Sequence, residues 1–162
     1  MSADPTPFDL ARLTGASRAF AESLFRDVPE AREHASMEGD EPNALHLLVQ
    51  MPSPTGDPAR EIVLWMNGDE PSVGFGTWHT HAGLWDEDDD MARLVRAILD
   101  GQFVLVADEQ GSIGEWADVI DLREPEELLD ALTSPDAPAR MRILSWSGRE
   151  DRELGLSDLE AT

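Results

Sequence analysis

Cysteine is absent from the 162 residues, which excludes disulfides and thiolate metal sites. Lysine is absent too: all twelve basic residues are arginine, a bias to which no mechanism attaches. No apolar run approaches the roughly 20 residues needed to span a bilayer. The opening residues Met1-Ser2-Ala3-Asp4-Pro5 lack the basic and apolar regions of a signal peptide. Together these absences predict a cytoplasmic location. Positive charge is scarce as well, with thirty-four acids against twelve arginines and a formal charge of −22. Such a field repels phosphate backbones and anionic lipids, so neither nucleic acid nor membrane is expected as a partner.

Complete catalytic signatures are also missing. Gly74-x-Gly76 lacks the third glycine and the following helix of a dinucleotide fingerprint, and there is no P-loop. No G-x-S-x-G elbow occurs, and there is no thiol to serve as nucleophile. Acidic pairs are so numerous that none stands out as a catalytic pair. The motifs leave enzymatic activity undecided.

What is present reads as one domain of ordinary composition, with 41% hydrophobic and 28% charged residues. The chain is organised around residues 61–107. Glu61 to Met66 is a β-rich run, and Asn67-Gly68 is a hairpin signal because both residues tolerate positive φ. Ser72 to His81 is read as one returning strand, which places Val73, Phe75, Thr77, His79 and His81 on a shared face. Met91, Leu94, Val95, Ile98 and Leu99 form the stripe of a core-facing helix, with Asp86 as its N-cap and Gly101 as its C-cap.

Upstream, Leu10 to Phe25 has helical spacing with Thr14 or Ser17 as cap, and Val28-Pro29 breaks into a second short helix. Residues 35–43 read as loop and Ala44 to Met51 as a strand. Downstream, Phe103 to Val106 and Ile113 to Ile120 suggest a hairpin. A short helix from Glu124 and a last strand, Met141 to Trp146, follow. The class predicted is α+β: a mainly antiparallel sheet of five to six strands with helices packed on one side. Residues 1–148 form the globular domain, and 149–162 an acidic, mobile tail.

His79 and His81 are the closest-spaced histidines, and an i, i+2 pair on one strand face can turn two imidazoles toward one cation. His46 and the acids 86–90, Asp88 in particular, are the candidates for a third ligand. The alternative places both rings at the sheet edge, stacked on Trp78 or Trp85. Val73 to His81 resembles the strand leading into the metal site of the JAMM/MPN metalloproteases. The resemblance implies that His79 and His81 are metal ligands, that the metal is zinc or another divalent ion, and that the activity is hydrolysis. It covers about a dozen residues. Ala82 stands where that family has proline, Asp89 where it has serine, and Ala92 where it has an aspartate ligand. Glu38 and Glu41 lie upstream at the distance of its catalytic glutamate, outside any matching motif.

The second candidate site is Trp85 with Asp86, Glu87, Asp88, Asp89 and Asp90. One or two acids suit a helix start, but five in a row repel one another. An aromatic anchor with a charged surround is also the make-up of a protein interface. The excess acid has three readings: solvation of the surface, capture of a basic partner, or oxygen ligands for a cation. The leading expectation is a protein that binds a basic protein partner, such as an immunity-type antagonist, and needs no cofactor. The alternative is a metal-dependent hydrolase built on His79 and His81.

Overall fold

The computed structural model describes residues 8–81, 91–108, 117–135, 137 and 140–155. Helix α1 (Gly15–Asp27) begins where Thr14 accepts a hydrogen bond from the Ser17 amide. It buries Phe20, Ala21 and Leu24, and Pro29 then opens a short 3-10 segment, Pro29–His34. The break at Val28-Pro29 follows from the missing proline N–H.

A five-stranded antiparallel sheet follows, in the order β1 (Ala35–Glu38), β2 (His46–Met51), β3 (Ile62–Asn67), β4 (Glu70–Phe75) and β5 (Trp78–His81). Strand β1 falls in the stretch 35–43 expected to be loop. Four residues are too few for a period-2 pattern to show, and pairing with β2, Ala35 opposite Val49 through Glu38 opposite His46, is what makes them a strand. The hairpin of β3 and β4 forms as expected, one residue later than the Asn67-Gly68 signal implies. Asn67 pairs with Glu70, so Gly68 and Asp69 make the turn, with Gly68 at φ +64°.

The single strand expected over Ser72 to His81 is instead two, folded back at Gly76-Thr77. Gly76 has φ +58°, the two-residue pattern with glycine first that matches the twist of flanking strands. A Cβ there would lie 2.2 Å from the Ala59 carbonyl oxygen and 2.9 Å from Leu105 Cδ2, so only glycine fits. The fold-back reverses the expected facing. Gly74 pairs with His79 and Ser72 with His81, so the histidines leave the Val73–Phe75 face and join the opposite one.

Helix α2 (Met91–Leu99) packs Met91, Leu94, Val95 and Ile98 into the core as its stripe predicts, adds Ala92, and leaves Leu99 half-buried. It stops at Gly101, φ +75°, where the Gln102 amide reaches the Ala97 carbonyl and the Gly101 amide that of Ile98. This is a Schellman ending. The Asp86 cap falls outside the described residues. Helices α1 and α2 both cover one face of the five-stranded sheet, around Leu47, Leu64, Val73 and Phe75.

The remaining strands form a second antiparallel sheet, ordered β7 (Ala117–Asp121), β6 (Phe103–Asp108), β8 (Arg140–Leu144) and β9 (Arg152–Gly155). Leu105, Ala107 and Leu144 join the main core, while Val104, Val106, Ile120 and Ile143 pack beneath α3 (Pro125–Thr133) through Leu132. Burial on both faces is why β6 reads as an unbroken apolar run. The stretch 149–162, expected to be a tail, contributes β9, whose Arg152 to Gly155 pair with Ile143 to Arg140. Its charged residues Arg152 and Glu153 hide the strand from a reading of hydrophobic alternation. The architecture is α+β with mainly antiparallel strands. No helix among the described residues is long and apolar enough to cross a membrane.

Candidate functional site

The Gly76-Thr77 turn sets the candidate site. It carries β5 back along β4 and puts His79 and His81 on the sheet face turned away from α1 and α2. Gly74 has no side chain to fill that face, and the Trp65 indole takes the space. A Cβ on Gly74 would sit 3.3 Å from Trp65 Cζ3. Trp65 thus lies against both histidines, with ring centroids 6.3 Å from each. The two imidazoles stand 5.5 Å apart at 72°. Two residues along a strand advance about 6.5–7 Å, so both rings lean slightly together.

Ser72 completes the group. Its Oγ lies 2.6 Å from His81 Nδ1, and the residue is fully buried. A short bond between a buried hydroxyl and Nδ1 holds the imidazole plane and leaves Nε2 at the far side of the ring. His79 is exposed, and no hydrogen bond to its ring occurs among the described residues. A sequence reading with one long strand cannot find Ser72. With the turn placed at Gly76-Thr77, antiparallel pairing puts Ser72 beside His81 at once.

Other residues suggested by sequence are placed elsewhere. His46 sits on β2, with β3 and β4 between it and the pair, three strand spacings or about 14 Å across the sheet and further along it. Its Nδ1 is buried without a hydrogen-bond partner. Glu38 is one strand further, on β1. Ala92, at the position of the aspartate ligand in the JAMM/MPN pattern, is buried on the core face of α2. Trp85, Asp86, Glu87, Asp88, Asp89 and Asp90 lie outside the described residues. Among the described residues no group of three or more His, Asp or Glu could hold a metal ion.

The charges divide unevenly. Several arginines are committed to internal contacts. Arg96 donates to both Glu30 oxygens at 2.8 and 2.9 Å and to the Asp27 carbonyl, tying α2 to the end of α1. Arg18 donates to the carbonyls of Leu10 and Ala11. Arg60 is buried between the Asp57 and Asp151 carboxylates. Arg123 grips the buried Asp121 carboxylate at 2.8 Å.

These bonds hold several carboxyls below their ordinary pKa. For Glu30 and Asp121 the main cause is the arginine hydrogen bond; for Asp57 it is the Ala59 amide, with Arg60 adding to it. Three exposed acids, Asp118, Glu127 and Asp130, line an open groove of about 520 Å³ between β7 and α3, together with Val119, Ile120 and Ala131. The site can therefore offer imidazole ligands on one sheet and an acidic groove on the other. No family model, curated protein or solved structure matches the chain.

Proposed function

We propose that this is a cytoplasmic protein that works by binding a basic protein partner, with an immunity-type antagonist as the concrete form. The observation that carries the reading is the −22 charge on 162 residues, combined with the internal use of several of the twelve arginines. Pairing them with this chain's own carboxylates leaves the unpaired charges more one-sided than the composition alone implies. The groove of Asp118, Glu127 and Asp130 fits a basic side chain, and its apolar residues fit the stem. Trp85 and the acids from Asp86 to Asp90 supply a second contact of anchor and charged surround.

Opposite charge accelerates encounter, with association rates up to about 10⁸–10⁹ M⁻¹s⁻¹ at low salt. Aromatic anchors act chiefly on dissociation. Reversing Asp88 and Asp90 to lysine is expected to slow association and flatten its salt dependence. Trp85→Ala is expected to speed dissociation. The measurement is surface-based binding kinetics on a partner captured from the native cell, at two salt concentrations. A partner that is not basic, bound with rates indifferent to salt and to both changes, would sink the proposal.

A further inference from the structure

We propose that His79 and His81 form a two-histidine chelate for one borderline divalent transition cation, of the zinc or nickel kind, with Ser72 as its positioning residue. The inference does not depend on the partner reading. Its first support is the ring spacing. With metal–nitrogen bonds of about 2.0–2.1 Å and ring nitrogens about 1.2 Å from their centroids, a tetrahedral bite sets two imidazole centroids about 5.2 Å apart. The rings stand at 5.5 Å, close to that separation.

The second support is Ser72. A ligating histidine is commonly held through its other nitrogen, which fixes tautomer and plane. The buried Ser72 hydroxyl meets His81 Nδ1 at 2.6 Å, so His81 Nδ1–H can donate to it and Nε2 can present its lone pair. Third, the donors are imidazoles on a face reached by solvent, and imidazole selects zinc, nickel or copper over magnesium and calcium. Water completes the coordination shell. The surrounding −22 field raises the local concentration of any cation.

An acidic protein also gathers cations loosely on its carboxylates, so the test must read the rings themselves. The full chain is titrated with zinc chloride while imidazole signals are followed by ¹H–¹⁵N NMR and affinity by calorimetry, with magnesium chloride as the carboxylate control. One equivalent of zinc should move both His79 and His81, and magnesium neither. His79→Ala, at an exposed position that leaves folding intact by circular dichroism, should weaken zinc at least tenfold. Ser72→Ala should weaken it about tenfold while both rings still respond. His34→Ala, on the exposed 3-10 segment, should bind as the parent does. If zinc leaves both rings unmoved, or His79→Ala binds as tightly as the parent, the chelate does not exist. Unchanged affinity in Ser72→Ala would remove the positioning role.

Discussion

A single glycine decides where the histidines of this protein point. Gly76 sits at φ +58° with the Ala59 carbonyl and Leu105 pressed against the place a side chain would take. Left-handed backbone costs an L-residue roughly 1–2 kcal/mol before any clash is counted. Gly76→Ala is therefore expected to destabilise the fold by about 2–4 kcal/mol. Urea unfolding should show a lower midpoint with an unchanged slope. Gly68, at φ +64° but with open space around it, should tolerate alanine better, because it meets only the backbone term. At the same scale, Ser72 illustrates a residue with nothing distinctive in the sequence. Its role comes from facing His81 across the turn.

At the scale of elements, the two sheets are held together by a polar clamp as well as by the core. The Arg60 guanidinium, at the end of the 3-10 turn Pro58–Arg60, bonds to Asp57 and Asp151 and donates to the Ser145 carbonyl. Ser53 donates to the Trp146 carbonyl at 2.6 Å beside it. The link joins the β2–β3 connection to the β8–β9 turn, more than 80 residues apart in sequence. Removing one partner of a buried ion pair costs roughly 3–5 kcal/mol, but both carboxylates here retain some water. Arg60→Ala should cost less, about 2–3 kcal/mol. Hydrogen exchange should also show faster opening of β9 than of β2, because β9 is an edge strand placed next to the lost contact. Equal protection of the two in the variant would show that the clamp is dispensable.

For the whole molecule, electrostatics works in two directions. Net charge of −22 destabilises the compact state by self-repulsion, which salt screens. Melting temperature at pH 7 is expected to rise with sodium chloride, by about 2–4 °C for each kcal/mol of repulsion removed. Glu30, Asp57 and Asp121 oppose acidification, because their folded pKa values lie below the unfolded ones. Their stabilisation is complete above the ordinary carboxylate range near pH 4 and is lost as pH falls through the lowered folded values. Calorimetric scans should therefore show a salt effect that shrinks as the outer acids protonate, then a loss of stability at lower pH. A melting temperature indifferent to salt at neutral pH would contradict this account.

Much of this organisation was legible in the residue order. Periodicity located the buried face of α2, because its stripe of Met91, Leu94, Val95 and Ile98 is a local property of one helix face. Capping chemistry narrowed the start of α1 to Thr14 or Ser17 and identified Gly101 for the same reason, since each bond closes within a few residues. Strand β1 and strand β9 were not legible, since short edge strands are defined by what they pair with. The facing of His79 and His81 was lost with the Gly76-Thr77 turn, which a continuous β-rich run concealed. The sequence alone determined the elements whose stabilising contacts are local. Which strands became neighbours, how they divided into two sheets, and that Trp65 and Ser72 stand beside the two histidines were decided only by tertiary packing, because those contacts join residues the chain order keeps apart.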